Sequence, residues 1–357
     1  LEDYALFVGL KESFGGKCWL DWPSGYRDAS VAKSQNLSSD VKNTADAHVF
    51  FQYFFYAQLA KLRAYASSRG LEIMGDAPIF VALDSSDVWA NSELFQLKKN
   101  GQPKAVAGVP PDYFAAEGQL WGNPLYDWTA HERTGFAWWI QRIKSNLEFY
   151  DIVRLDHFRG FESYWSVPAT ETTARNGTWT PCPGLKLFRA LREACPEAKL
   201  VAEDLGEITE EVNELRSVTG LPGMTVLQFA FSSDADNTYL PHNFERNCVA
   251  YTGTHDNDTS LAWYQALDDA TQDYIRCYLG VTGDTIAWDL VRKAIESSAL
   301  LAIFPLQDLM SLGKEARLNT PGTPSGNWQW RYQPHQLDQL QRESSTYLRE
   351  HLDLYGR

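Results

Sequence analysis

The sequence predicts an α/β protein built as a (β/α)8 TIM-type barrel, and three observations support this fold class. Short apolar runs alternate with helix-like stretches along the chain, which is typical of parallel βα units. Several of these runs end in acidic residues, and the functional side chains of such barrels lie at the carboxyl ends of the strands. An open, doubly wound sheet is the alternative, but the sequence lacks its usual phosphate loops, GxGxxG and GxxxxGKS or GxxxxGKT.

The alternation defines a set of strands and helices. Helices are predicted from apolar periodicity at 1–16, 47–68, 184–194 and 284–298, with helical or irregular chain between 76 and 148. Strands are predicted at 71–75, 151–155, 200–202, 225–231, 249–252 and 300–304. A closed barrel has eight strands, so we expect this chain to lack the first strands of the barrel.

The expected domain organisation follows from these elements. Residues 1–46 are predicted to be a helical segment of an insertion subdomain, and 47–357 the catalytic barrel with strands three to eight. Helical or irregular insertions are expected at the carboxyl face, including an aromatic-rich insertion at about 84–148. Its rings either pack in a small core of their own or face a ligand, and both interpretations stay open for Trp121.

Composition limits the partners. The chain carries 32 Lys and Arg against 46 Asp and Glu, a net charge of -14, which repels nucleic acids and anionic membranes. No apolar stretch approaches the roughly 20 residues of a membrane helix. The five cysteines show no CxxC spacing and are expected to be free thiols. Without HExxH or clustered His and Cys, neither a metal nor another cofactor is expected.

We expect a cytoplasmic location. The alternative is a plastid, because the first residue is Leu1 rather than Met and an upstream targeting segment is compatible with this.

The acids at the strand ends and the aromatic residues together suggest a ligand class. A negatively charged protein that presents ring faces beside carboxylates suits a neutral, polyhydroxylated molecule, whose C–H faces lie on rings and whose hydroxyls bind polar side chains. The residues alone therefore predict a sugar-active barrel.

Six segments resemble the sequence blocks of the 4-alpha-glucanotransferases, also called amylomaltases or disproportionating enzymes, in family 77 of the glycoside hydrolases. They are GDAPIFVALDSSDVWAN, GQLWGNPLYDW, DIVRLDHFRGF, VAEDLGEIT, YTGTHDNDT and LNTPGTPSGNWQWR. The resemblance extends from Tyr4 to about Arg331. It implies a relative of the alpha-amylases that transfers an α-1,4-glucan segment from a maltodextrin to an acceptor glucan or glucose, by a retaining double displacement and without a metal.

The resemblance also implies catalytic roles. Asp156 matches the nucleophile, Glu203 the general acid/base and Asp256 the transition-state stabiliser, and the three carboxylates are expected to converge in one pocket. Arg154, two residues before Asp156 on the same face of a strand, is expected to favour the ionised nucleophile. Glu203 is expected to hold a proton at neutral pH because desolvation and neighbouring acids raise its pKa.

Other polar and aromatic residues of these segments are assigned to the substrate. Asp204 and Asp258 are expected instead to cap helices or turns. Two further functions stay open: a non-catalytic glycan-binding fragment that keeps the acids without a closed site, and an α-glucan hydrolase in which water resolves the covalent intermediate. The residues predicted to bind substrate are Arg154, His255, Asp76, Trp121, Gln119, His157, Asn319 and Tyr113.

Overall fold

The computed structural model describes residues 1–111, 115–323 and 325–357, which form two compact units, Leu1–Gly220 and Leu221–Arg357. Each unit combines helices with a parallel sheet of three strands, so the predicted α/β class is confirmed. Within the described ranges, no helix is both long and apolar enough to cross a membrane.

The first unit contains a parallel sheet and an antiparallel sheet. The parallel sheet has the order β1-β4-β7 and the antiparallel one the order β3-β2-β5-β6. Their strands are β1 (Met74–Ala77), β2 (Ala105–Val109), β3 (Gln119–Pro124), β4 (Ile152–Leu155), β5 (Ser163–Pro168), β6 (Thr178–Pro181) and β7 (Lys199–Ala202).

The helices of the first unit begin at polar caps in several cases. Ser38, for example, accepts a hydrogen bond from the backbone N–H of Val41 and so satisfies a donor at the start of a 30-residue helix. The helices are α1 (Glu2–Ser13), α2 (Ser24–Arg27), α3 (Ala29–Ser34), α4 (Ser39–Ser68), α5 (Ser86–Ala90), α6 (Trp128–Arg133), α7 (Ala137–Phe149), α8 (Gly184–Ala194) and α9 (Glu210–Thr219). Short 3-10 helices cover Trp19–Asp21, Ser92–Leu94 and Phe158–Phe161.

The parallel sheet contains the three strands that the apolar runs predicted, although β1 covers Met74–Ala77 and not the predicted 71–75. In β4, Val153 and Leu155 are fully buried while Arg154 between them is partly exposed, which is the alternation of a strand with one face in the core. The register pairs Ala77 with Leu155, and Leu155 with Ala202. The three strands therefore end level with one another.

The antiparallel sheet corrects the prediction for the insertion. We expected helical or irregular chain between 76 and 148, but β2 and β3 lie in this range and pair with each other. Gly108 and Gly122 favour a loop over a strand in these segments, since glycine is depleted in strands. Pairing with β5, far along the chain, makes β2 a central strand.

The aromatic insertion supplies both a core and an exposed ring. Tyr126 and Trp128 are buried, and Tyr126 packs on Phe95 and Trp139, so these rings form the expected aromatic core. Trp121, in contrast, is 37% exposed. Tyr113 lies outside the described residues.

The second unit is simpler. Its parallel sheet has the order β10-β9-β8. The predicted strand at 225–231 is correct only at its start, because the chain turns into a 3-10 helix at Leu227–Phe229, whose Leu227 is buried in the core. The strands are β8 (Gly223–Val226), β9 (Cys248–Tyr251) and β10 (Leu301–Ile303). The helices are α10 (Ser260–Gln265), α11 (Asp269–Leu279), α12 (Ile286–Glu296), α13 (Leu306–Leu309), α14 (Pro334–Glu343) and α15 (Ser345–Tyr355), and 3-10 helices cover Pro241–Asn243 and Lys314–Ala316.

Candidate active site

Two acids follow adjacent strands of the first unit. Asp156 comes one residue after β4 and Glu203 one residue after β7. The backbone continues the sheet pattern at both positions, since Asp156 N–H donates to the Ala77 carbonyl at 3.1 Å and Glu203 N–H to the Leu155 carbonyl at 3.0 Å. The register of the strands therefore places the two acids side by side.

Arg154 binds two of the carboxylates at this edge. Its Nη1 lies 2.8 Å from both oxygens of Asp76, and its Nη2 lies 3.0 Å from Oδ1 of Asp156. Burial alone would lower the pKa of Arg154, but the surrounding carboxylates of Asp76, Asp156 and Glu203 outweigh it and the pKa is raised. Arg154 therefore stays charged and compensates the negative charge of its neighbours.

Glu203 has a different environment from Asp156. It is 9% exposed, and Oε2 accepts a hydrogen bond from the His157 backbone N–H at 2.6 Å and Oε1 from that of Leu205 at 3.1 Å. Burial raises the pKa of Glu203 to about 8; Arg154 and the two backbone donors lower it, while Asp156 raises it further. The predicted protonated state at neutral pH is thus supported by this environment.

His157 and Trp121 line the same edge. His157 has a left-handed backbone with φ of 53°, and its N–H donates to Oε2 of Glu203. Burial, with a smaller effect from Arg159, lowers the pKa of His157 to about 4, so its imidazole is neutral at pH 7. The ring of Trp121 meets that of His157 edge-on at 4.8 Å, and its Nε1 donates to Oε1 of Gln119 at 3.2 Å. Arg154 therefore contacts Asp156 and Asp76, and the His157 backbone contacts Glu203. Trp121 lies beside the His157 ring, and Gln119 beside Trp121.

The second unit holds another group of predicted residues. Asp256 lies in the loop between β9 and α10, with its Oδ2 at 3.5 Å from Nε2 of His255. Asn319 donates from Nδ2 to Oδ1 of Asp256 at 2.5 Å. The predicted residues Asp256, His255 and Asn319 are therefore mutual neighbours.

Two residues of this group were not predicted from the sequence. Arg317 donates from Nη2 to the Asp256 carbonyl at 2.9 Å, and from Nε to the Asn319 carbonyl at 2.9 Å. Trp328 places its ring 5.2 Å from that of His255 and is 52% exposed. The available signal was proximity in sequence, since Arg317 lies two residues before Asn319 and Trp328 lies in the same family block as Asn319.

The two acids expected to cap helices or turns each pair with an arginine. Asp258 accepts a hydrogen bond from the Thr259 N–H at 2.9 Å, next to the start of α10, and its Oδ2 lies 3.5 Å from Nη1 of Arg317. Asp204 forms an ion pair with Arg216 at 3.0 Å, with both side chains 11% exposed. Neither acid is a helix N-cap, because Thr259 caps α10 and Thr209 caps α9. The residue that pairs with Asp204 lies on α9 and cannot be read from the local sequence.

No group of three or more His, Cys, Asp or Glu in the described part of the chain is arranged to hold a metal ion. A carboxylate paired with arginine, beside a buried carboxyl group that keeps its proton, is the combination with which glycoside-processing enzymes run nucleophilic and acid catalysis. Fold and site define an α/β enzyme of this class.

Comparison with known proteins identifies the family. The model of glycoside hydrolase family 77, the 4-alpha-glucanotransferases, matches residues 1–338, and the chain belongs to this family. The 4-alpha-glucanotransferase of Synechocystis sp. is 50% identical over 363 residues, covering 100% of this chain and 71% of that protein. The 4-alpha-glucanotransferase of Thermus thermophilus is 48% identical, and the match covers 94% of this chain and 69% of that protein.

Solved structures agree with the sequence relatives. The amylomaltase from Streptococcus agalactiae, solved in complex with acarbose, superposes with a TM-score of 0.92 at 37% identity. The match covers 100% of this chain and 72% of that one. The family inferred from the sequence is therefore confirmed.

Proposed function

We propose that this enzyme moves an α-1,4-glucan segment from a donor maltodextrin to the 4-hydroxyl of an acceptor glucan or of glucose, with retention of configuration. Asp156 attacks the anomeric carbon while Glu203 protonates the departing glycosidic oxygen, which leaves a covalent glycosyl-enzyme. Glu203, now ionised, takes the proton of the acceptor hydroxyl as that oxygen displaces Asp156. Asp256 stabilises the positive charge of the oxocarbenium-like transition state.

The observation that carries this proposal is the contrast between Asp156 and Glu203. Asp156 is 40% exposed and paired with Arg154, whereas Glu203 is buried and its pKa is raised to about 8. Neighbouring strands lie about 4.8 Å apart, close to the roughly 5–5.5 Å that separates the two carboxyl groups of retaining enzymes. The positions of Asp156 and Glu203 therefore suit a nucleophile and an acid, and the raised pKa of Glu203 suits the acid.

The remaining predicted residues are proposed to bind sugar. Trp121 offers an exposed ring beside His157, on which an acceptor sugar could stack, and stacking would help to exclude water from the covalent intermediate. Transfer is then favoured over hydrolysis. Asp76 supports the site through Arg154. The other residues proposed to bind the glucan are Gln119, His157, His255, Asn319 and Tyr113.

The finer fold prediction is part of the same proposal. We infer a (β/α)8 barrel, supported by parallel strands that are followed directly by Asp156 and Glu203 in one unit and by the Asp256 loop in the other. We propose the cytoplasm as the location and α-1,4-glucans with glucose as the partners.

The decisive experiment is incubation of the protein with maltotriose. We expect glucose and a ladder of longer maltodextrins with almost no increase in total reducing ends, because each glycosidic bond that is broken is remade. Chromatography of the products and a reducing-end assay measure the two quantities. A steady rise in reducing ends without longer products would identify a hydrolase. Unchanged maltotriose, with a sample shown by circular dichroism to be folded, would identify a non-catalytic glycan binder.

A further inference from the structure

The loop that carries Asp256 is anchored at both ends by buried hydroxyl residues. It runs from Thr252, directly after β9, to Ser260, the first residue of α10. Both side chains are 0% exposed. A buried hydroxyl costs free energy unless it is hydrogen-bonded, so the partners of these two groups determine how firmly the loop is held.

One carboxylate binds both anchors. Asp308, on α13, is 1% exposed, and its Oδ2 accepts hydrogen bonds from the Thr252 hydroxyl at 2.6 Å and the Ser260 hydroxyl at 2.7 Å. Its Oδ1 accepts the Ser260 backbone N–H at 2.9 Å. Burial raises the pKa of Asp308, and the hydrogen bonds from Thr252 and Ser260 lower it. Three donors thus converge on one buried side chain.

Other contacts hold the interior of the loop. Arg317 donates to the carbonyl of Asp256 at 2.9 Å, and Gln228 donates from Nε2 to the carbonyl of Asp258 at 3.0 Å. Neither of these contacts fixes the ends. Asp308 closes the loop by joining its first and last residues to a single group.

We propose that Asp308 is a positioning residue, which fixes the loop and thereby the carboxylate of Asp256 without touching the sugar itself. The inference rests on the proposed function, because it requires that Asp256 acts in the transition state. A displacement of about 1 Å at a reacting group can cost on the order of 10²-fold in rate. Loss of positioning lowers kcat more than it changes KM, since the affected interaction is made in the transition state.

The test compares Asp308→Asn with Asp289→Asn. Asp289 is a matched control: it is 4% exposed, lies on α12 in the same unit, and binds Arg292 and Thr285 instead of the loop. In Asp308→Asn, an amide NH2 that donates hydrogen bonds replaces the accepting Oδ2. The hydroxyls of Thr252 and Ser260 must then accept a hydrogen bond instead of donating one. We expect kcat for maltotriose to fall about 10- to 100-fold with KM within about threefold, whereas Asp289→Asn keeps kcat within about twofold of wild type.

Hydrogen exchange gives a readout that does not depend on activity. Amide exchange in the peptide spanning 252–260 should accelerate in Asp308→Asn and stay at the wild-type rate in Asp289→Asn, because only the first change weakens the hydrogen bonds to Thr252 and Ser260. A folded Asp308→Asn with wild-type kcat, or one in which only KM rises, would overturn the inference. Should Asp308→Asn not fold, Thr252→Val and Ser260→Ala each remove one donor, and wild-type kcat in both would overturn it equally.

Failure of this inference can be told from failure of the proposed function. Asp256→Asn is measured in parallel. Wild-type turnover by Asp256→Asn would refute the role of Asp256, and with it both proposals. An inactive Asp256→Asn beside a fully active Asp308→Asn would refute the positioning role alone.

Discussion

Nη2 of Arg154 lies 3.0 Å from Oδ1 of Asp156, and the two residues stand at the end of the same strand, β4. The Arg154 side chain is 12% exposed, so solvent screens this ion pair less than one at the surface. The guanidinium also binds Asp76 through Nη1. One partly buried cation therefore compensates the charge around the proposed nucleophile.

Removal of this cation should disable catalysis. Arg154→Leu leaves the carboxylates of Asp76 and Asp156 without their shared partner, and we expect kcat for maltotriose disproportionation to fall by about 10²-fold or more. Arg154→Lys keeps the charge but loses the two-sided geometry, so a smaller loss of about tenfold is expected.

A matched control exists at the opposite end of the same strand. Arg63 pairs with Asp151 at 2.6 Å, directly before β4. Arg63→Leu should leave kcat within about twofold of wild type, because this pair lies at the amino end of the strand. Steady-state kinetics measure all three variants. A kcat for Arg154→Leu within a few-fold of wild type would refute the role of the cation.

The two acids can be separated with an activated substrate. Asp156→Asn should form no covalent adduct with an α-maltotriosyl fluoride, since the attacking carboxylate is gone. Glu203→Gln should still form the adduct, because fluoride leaves with little protonation. Intact mass spectrometry detects the added glycosyl mass. An adduct on Asp156→Asn would contradict the assignment of the nucleophile.

The raised pKa of Glu203 predicts the pH dependence of transfer. Because this pKa is about 8 rather than 4.5, the group keeps its proton through neutral pH and loses it as the pH rises through about 8. The rate with maltotriose should therefore decline above pH about 8. Adduct formation from the fluoride needs no acid and serves as the control, so it should show no such decline. The same alkaline decline with both substrates would point to another group.

Trp121 should influence the choice between acceptor and water. Its ring is 37% exposed and meets His157 at 4.8 Å. With this ring stacked on the acceptor, Trp121→Leu loses about 1 kcal/mol of ring contact, which raises the acceptor KM by about fivefold. The fraction of turnovers that release new reducing ends should rise with it.

An exposed aromatic residue elsewhere provides the comparison. Tyr355 lies on α15 and is 44% exposed. Tyr355→Leu should change neither the acceptor KM nor the fraction of turnovers that release new reducing ends. The measurement is the ratio of reducing ends to transfer products at several glucose concentrations. Equal ratios for wild type and Trp121→Leu would show that this ring does not bind the acceptor.

His131 should contribute to acid sensitivity of the fold. It is fully buried among Tyr126, Trp128 and Trp138, and burial lowers its pKa from 6.5 to about 4. Between pH 6.5 and about 4, His131 therefore stays neutral in the folded state but is protonated in the unfolded chain. The stability from the neutral ring is present above pH 6.5 and is lost as the pH falls toward 4, by at most about 3 kcal/mol.

The test is the change in stability with pH, not its absolute value. Between pH 7 and pH 4.5, the free energy of unfolding from urea titrations should fall less for His131→Phe than for wild type. His335→Phe, at an exposed histidine, should behave as wild type. An unchanged pH dependence in His131→Phe would exclude His131 as a source of acid sensitivity.

The strands that carry the proposed acids could be predicted from the sequence. The ends of β4 and β7 follow from local patterns, an apolar run that stops at a charged residue, and both lie within a residue of the prediction. Local patterns suffice here because burial of one strand face and exposure of its end are properties of a few consecutive residues. The family blocks likewise singled out Asp256, His255 and Asn319, and the structure shows that His255 and Asn319 both contact Asp256.

The tertiary structure decided what depends on distant residues. The strand character of β2 comes from pairing with β5, about sixty residues later. Asp204 binds Arg216 on α9, and Asp308 binds both ends of the loop around Asp256, a link that no sequence pattern displays. The pKa of Glu203 follows from burial and from the neighbours of its carboxyl group. Propensity and alternation are encoded along the chain, whereas partners, burial and protonation arise only when separate segments meet.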